Sequence, residues 1–203
     1  NYIKLHEIFT PEVKAARKIL GDDIPIMVDT NCPWTKDQAR QILSKWEDFN
    51  LYWVEEPINP PEDFESLSNL RSESLIPIAA GENACTSFEF KKMFEYEAVD
   101  YAQPSVTKVG GITEFKKIIS VAETFGVQVM PHSPYFGPGF LATLHLSQSV
   151  PNSGLLERFF IDFEAYIYPE QIFNPKSGSF EIPNGIGLGF DPDKNVLKDY
   201  RVN

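Results

Sequence analysis

The sequence predicts an α/β protein, a TIM-like (β/α) barrel that is incomplete, with seven of the usual eight strands recognisable. Three observations carry this. Short apolar runs alternate with segments of helical periodicity, and each run ends in a polar residue. The polar ends recur at a near-constant interval. From Lys4 to Asp29 is 25 residues, then 26 to Glu55, 27 to Glu82, 23 to Ser105, 27 to His132 and 25 to Glu157. That interval fits a strand, a loop and a returning helix, so successive strands run parallel and their polar ends emerge on one side.

The predicted strands are 2–4, 25–29, 51–55, 76–82, 99–105, 127–132 and 154–157. Predicted helices run over 11–20, 35–50, 62–70, 87–96, 112–125 and 139–149. In the second of these, Ala39, Ile42, Leu43 and Trp46 form one stripe at spacings of three and four, and Thr35 stands as N-cap. Gly21 closes the helix before it. An open doubly wound sheet is the competing arrangement, but it would spread the strand ends along a line around a switch point. A barrel rings them around one mouth, its C-terminal face. Barrels of this kind close with eight strands. The expectation is therefore a truncated polypeptide with its missing piece at the N-terminus, residues 1–170 forming the barrel portion and 171–203 a C-terminal tail.

Composition narrows the function. The 203 residues are 42% hydrophobic, enough for one sizeable core. The formal charge is −11, with 29 acids against 18 bases, which disfavours a nucleic-acid partner. No run approaches the ~18 apolar residues of a membrane span, and the first residues lack the layout of a secretion signal. Two cysteines, Cys32 and Cys85, stand far apart without a partner motif. A reduced, cytoplasmic protein is the expectation.

Asp29, Glu55 and Glu82 end three consecutive strands. Ionised groups there are costly unless paired, solvated or metal-bound. Three carboxylates in phase with the repeat converge, and their repulsion favours a hard cation with oxygen ligands, such as Mg2+. The alternative is that each makes its own salt bridge or caps the next helix. His132 lies in phase with these acids, whereas His145 sits on a helix and reads as structural. Lys4 and His6 alternate on the first predicted strand and so point the same way. A carboxylic acid chelated by the metal would lie between them and His132, poised to lose its α-proton.

The stretches Met27-Val28-Asp29-Thr30-Asn31, Trp53-Val54-Glu55-Glu56-Pro57, Gly81-Glu82-Asn83, Lys108-Val109-Gly110-Gly111 and Pro131-His132-Ser133, in this order, resemble the enolase superfamily. The likeness is to its mandelate racemase/muconate lactonizing enzyme branch and runs from Lys4 to about Asp191. The resemblance implies a modified barrel behind an N-terminal capping domain, on which the tail from residue 171 would pack. It implies removal of the proton α to a carboxylate, giving an enediolate held on magnesium. Asp29, Glu55 and Glu82 match the metal ligands, Lys4 the first lysine of the Lys-x-Lys motif, and His132 the catalytic histidine. Glu157 matches the acid that hydrogen-bonds the substrate carboxylate. Asn31 is a substrate contact by this likeness, while Asn83, Ser105 and Lys108 stand behind the ligands.

Two positions depart from the pattern. His6 replaces the second lysine, the usual base on one face; imidazole also serves as a base near neutrality, or His6 only orients and Lys4 takes the proton. Ser105 stands where branch members have aspartate or lysine, and serine supplies no negative charge to raise the basicity of His132. His132 is then expected to donate a proton. The reaction expected is dehydration of an acid sugar or a cycloisomerisation, rather than racemisation or epimerisation. A non-catalytic metal-binding fragment, a racemase or epimerase of the same family and an unrelated barrel aldolase are the alternatives. A homo-oligomer is expected, because an open barrel exposes two strand edges. The run Gly185-Ile186-Gly187-Leu188-Gly189 does not join a strand to a helix, and a turn suffices for it. The loop from Ser133 to Gly139 either lines the pocket or packs.

Overall fold

Five parallel strands in the order β1-β2-β3-β4-β5 form one sheet. This computed structural model describes the backbone of residues 5–150 and 154–202, and side chains from Thr10 onward. The strands are β1 (Ile26–Asp29), β2 (Leu51–Glu55), β3 (Ile78–Ala80), β4 (Tyr101–Ala102) and β5 (Gln128–Val129). Sequential order without reversal removes the doubly wound alternative, which needs a switch point. Between and beyond the strands lie α1 (Leu5–Leu20), α2 (Lys36–Trp46), α3 (Phe64–Glu73), α4 (Ser87–Glu95), α5 (Ile112–Phe125), α6 (Pro138–Gln148) and a short α7 (Lys194–Asp199).

The second helix shows how sequence becomes structure. Thr35 Oγ1 accepts the Gln38 N–H while Gln38 Oε1 accepts the Thr35 N–H, a reciprocal cap. The stripe Ala39, Ile42, Leu43 and Trp46 is buried, as its spacing predicts. These side chains join Val54, Leu67, Ile78, Phe90, Phe115 and Ile118 in the main core between sheet and helices. On the other face Met27, Trp53, Ala79, Tyr101 and Met130 make a small apolar cluster beneath the mouth.

Buried Arg17 ties α1 to the rest. Its guanidinium donates to the carbonyls of Gly21, Ile24, Phe49 and Asn50 at 2.6–2.8 Å. The tail packs on α6 through Phe140, Leu141, Leu144, Tyr168 and Phe173. His145 belongs to this packing, with Nε2 3.3 Å from the Leu188 carbonyl. The glycine run is a turn, closed by Gly189 N–H on Ile186.

Five strands, not seven, are present among the described residues, and each difference has a reason. Residues 2–4 lie outside the described residues. His6 belongs to the first turn of α1, not to a strand with Lys4. A strand at that point would need a ladder partner, whereas a helix closes its hydrogen bonds within itself. Residues 154–157 belong to no strand: Met130 Sδ takes the Leu155 N–H at 3.1 Å. The same sulfur lies 2.0 Å from where a Cβ on Gly154 would stand. The strands β4 and β5 shrink to two residues because Pro104 and Pro131 soon follow them and bring no N–H to the ladder.

Candidate metal centre and proton-transfer site

Register places the acids. Asp29 is the direct partner of Glu55 across the β1–β2 ladder, and Glu55 pairs with Ala79, three residues before Glu82. The next two loops bring in Gln103 to Lys108 and then His132, whose N–H donates to the Pro104 carbonyl at 3.2 Å. One ligand atom each from Glu55, Glu82 and His132 lies within 4.8 Å of the others. Asp29 stands beside them with its two oxygens on Asn31, one accepting the backbone N–H and one the side-chain amide, both at 2.9 Å.

The electrostatics are those of crowded acids. Burial pushes the Glu55 carboxyl up to about 7, against hydrogen bonds from Gln103 and Trp53. Trp53 Nε1 donates to Glu55 Oε2 at 3.2 Å. Burial also raises Asp29, opposed by the Asn31 N–H and reinforced by Glu82 and Glu157. Glu82 goes the other way, down to about 2, because His132 and Lys108 flank it. Lys108 Nζ reaches Glu82 Oε1 at 3.1 Å. Uncompensated charge at buried Glu55 and at Asp29 is what a cation would relieve, and the oxygen donors suit a hard divalent ion. The residues fit magnesium.

His132 corrects one expectation. Its Nδ1 is 3.0 Å from Glu82 Oε2 and 3.2 Å from Glu157 Oε2. Burial pulls its pKa down, but the Glu157 and Glu82 carboxylates win and raise it to about 10. The negative charge that Ser105 cannot supply therefore comes from the end of β3 and from the segment after α6. Ser105 is fully buried, and its hydroxyl pairs with Thr107 and with the Tyr135 hydroxyl. Tyr135 in turn sets its ring edge-on to His132, centroids 5.9 Å apart, so the loop after His132 does line the site. Glu157 Oε2 also accepts the Ser133 N–H at 2.9 Å. Lys4 lies outside the described residues, as does the side chain of His6.

Glu56 escaped the sequence reading. Alternation along β2 would aim it away from Glu55 and from any shared role. Its backbone instead turns left-handed, φ 44°, a conformation costly for a side-chain-bearing residue. The buried carboxylate accepts Asn83 Nδ2 at 2.8 and 2.9 Å and the Cys32 thiol at 3.2 Å. Its carbonyl accepts the Cys32 N–H and the Thr30 hydroxyl. The ends of β1, β2 and β3 are thereby clamped together behind the acids, and Asn83 serves the clamp. Burial, with Glu56 beside it, raises the Cys32 thiol to about 12, so it is no nucleophile.

Comparison with known proteins places this geometry. Residues 8–196 match the family model described as enolase C-terminal domain-like. The chain belongs to the enolase superfamily. Within the mandelate racemase/muconate lactonizing branch, it is 35% identical over 176 residues to the L-talarate/galactarate dehydratase of Salmonella typhimurium, covering 87% of this chain and 42% of that protein. A 3,6-anhydro-alpha-L-galactonate cycloisomerase of Streptomyces coelicolor is 32% identical over 76% of this chain and 41% of its own length. Among crystal structures, the 3,6-anhydro-D-galactonate cycloisomerase from Zobellia galactanivorans superposes with TM-score 0.88 at 31% identity, over 96% of this chain and 55% of that one. The L-talarate dehydratase from Polaromonas sp. JS666, complexed with Mg and L-glucarate, gives 0.79 at 32% identity over 95% and 51%. These neighbours are enolase-superfamily barrels, and the barrel here is partial. The chain spans about half the length of the curated relatives it matches. No helix among the described residues is long and apolar enough to cross a membrane.

Proposed function

We propose that this chain carries the cation-binding and proton-donating half of an acid-sugar dehydratase or cycloisomerase site. The observation that carries this reading is the meeting of Glu55, Glu82 and His132 at the ends of parallel strands, with Asp29 alongside. Asp29, Glu55 and Glu82 would hold Mg2+. A divalent cation there supplies the positive charge that stabilises a substrate carboxylate as its α-proton leaves. His132, held protonated between Glu82 and Glu157, donates to the departing hydroxyl. Lys108 keeps one oxygen of Glu82 turned away from His132. Asn31 fixes Asp29, and Glu56 with Asn83 fixes the loops behind it. The proton acceptor falls to Lys4 or His6. Racemisation asks His132 to take a proton as readily as to give one, and the two carboxylates beside its Nδ1 favour the charged form.

The test is exchange of the α-proton with solvent deuterium, dependent on magnesium, across a panel of acid sugars. His132→Asn is expected to spare exchange and abolish net turnover. Loss of exchange in that variant makes His132 the base and reverses its role. The donor set by itself also fits a second reading, cation binding without turnover. Magnesium binding with no exchange on any acid sugar would establish it.

A further inference from the structure

We infer that Asn184 is a site of spontaneous deamidation through the nitrogen of Gly185, and that the isoaspartyl product opens the turn that seats Leu188. Asn184-Gly185 is the one Asn-Gly pair in the sequence, and it leads into the glycine run at 185–189. The turn dictates the glycine. A Cβ at Gly185 would stand 2.7 Å from the Gly189 carbonyl oxygen, and one at Gly189 2.3 Å from Pro183 Cβ. Glycine leaves its nitrogen unscreened by any side chain and its backbone free to turn towards the asparagine. Two further observations point to this pair. Asn184 and Gly185 are exposed, and Ile186 beside them is 100% exposed, so water reaches them. Among the described residues, neither the Asn184 side chain nor the Gly185 N–H makes a hydrogen bond. Asn31, Asn83 and Asn174, by contrast, have their side chains bonded, and Pro175 after Asn174 has no N–H to give.

In the reaction the Gly185 nitrogen attacks Asn184 Cγ. The new N–Cγ bond closes a succinimide ring, the Cγ–Nδ2 bond breaks, and Nδ2 leaves as ammonia with the proton that Gly185 gives up. Water then opens the ring. Attack at Cγ gives aspartate, whereas attack at the main-chain carbonyl gives isoaspartate, whose chain continues through the former side chain. Either product adds a negative charge, and isoaspartate also lengthens the backbone by one carbon. That carbon falls inside a turn where Gly185 and Pro183 are both crowded against Gly189, and where the Gly189 N–H donates to the Ile186 carbonyl at 3.1 Å. Leu188 packs against both the main core and the tail cluster, and its carbonyl lies 3.3 Å from His145 Nε2. The added carbon spreads Pro183 from Gly189 and releases Leu188 from that seat.

The experiment incubates the full folded chain in mildly alkaline buffer made with heavy-oxygen water, then digests it with trypsin. Cleavage after Lys176 and Lys194 releases residues 177–194, whose only side-chain amide is that of Asn184. This peptide should gain mass, with one heavy oxygen, at least about tenfold faster than any other asparagine-bearing peptide, because only here does glycine follow. Fragmentation of the product should show isoaspartate beside aspartate. Asn184→Gln should remove the gain, since its side chain reaches a larger and slower-closing ring. The isoaspartyl chain, separated by charge, should exchange its Gly189 amide about tenfold faster than the parent, and freshly purified Asn184→Asp, which adds charge alone, within about threefold of it. No gain in this peptide, or a gain no faster than elsewhere, overturns the site. Aspartate without isoaspartate overturns the ring route, and unchanged Gly189 exchange in the isoaspartyl chain overturns the opened turn.

Discussion

Burial of Glu55 makes a definite claim about stability and pH. Its carboxyl titrates at 4.5 when free and at about 7 in the fold, because burial penalises the charged form. Between those values the folded chain binds more protons than the unfolded chain, so stability falls as pH rises. The full difference is worth about 3 kcal/mol, of which about 2 kcal/mol is lost between about pH 5 and about pH 6.5. For a chain of 203 residues that lowers the melting temperature by about 4–8 °C. Asp29 and Glu56, also raised by burial, act in the same direction. Glu82 opposes them, but with its carboxyl held at about 2 its contribution is almost complete by about pH 5. His132 adds a further loss only above 6.5, as its proton is given up towards about 10.

The assay is thermal unfolding with a chelator present, at about pH 5 and about pH 6.5, for the parent and Glu55→Gln. Glutamine keeps the shape and an acceptor for Trp53 but never ionises. Its melting temperature should stay about 4–8 °C flatter across the window. On the proposed reading magnesium would bind the ionised carboxylates, so its stabilising effect on the parent should grow with pH through the same range. A Glu55→Gln variant with the parent's slope refutes the reasoning, whatever magnesium does.

Three other outcomes follow from the structure. Arg17→Met strands four carbonyls beneath α1 and should cost about 3 kcal/mol in urea unfolding, far more than loss of a surface charge. Gly81 has φ 138°, and a Cβ on it would meet Phe90 at 2.8 Å and the Gln103 nitrogen at 3.0 Å. Gly81→Ala should therefore cost about 2 kcal/mol or more by the same measurement and weaken magnesium binding through its neighbour Glu82. The outer strands β1 and β5 leave edges without a strand partner among the described residues, so sizing chromatography should report self-association. A clean monomer would contradict that.

What could be read in advance followed periodicity. The stripe Ala39, Ile42, Leu43 and Trp46 is legible because a helix repeats its face every three or four residues whatever surrounds it. Asp29 and Glu55 are legible because a parallel ladder with a constant crossover brings strand ends into register, and they are in fact direct partners. Periodicity fails where runs are short. Residues 2–6 alternate as a strand would, yet Leu5 and His6 are helical, and five residues cannot tell the two apart. Residues 154–156 are an apolar run ahead of Glu157, but a neighbouring methionine sulfur took the Leu155 N–H that a ladder needs. Glu56 was beyond reach for a different reason. A left-handed backbone at a glutamate just before a proline contradicts local preference, and only the converging Asn83, Cys32 and Thr30 sustain it.

The serine at 105 shows why a motif departure should be read in space. Along the chain it removes the acid that branch members place beside their histidine, and the inference of a less basic His132 is sound for that pair alone. In the fold, the ends of β3 and the segment after α6 deliver Glu82 and Glu157 to the same nitrogen. The charge has been moved, not lost. Ser105 is thereby free to hold the Tyr135 hydroxyl, and Tyr135 walls the imidazole from the side. An aspartate at 105 would share His132 without touching the cation ligands. On the proposed reading Glu82 serves both, so anything that draws on Glu82 also changes how firmly His132 keeps its proton. Cation binding and proton donation would then be coupled through that one carboxylate, which independent partners would not allow.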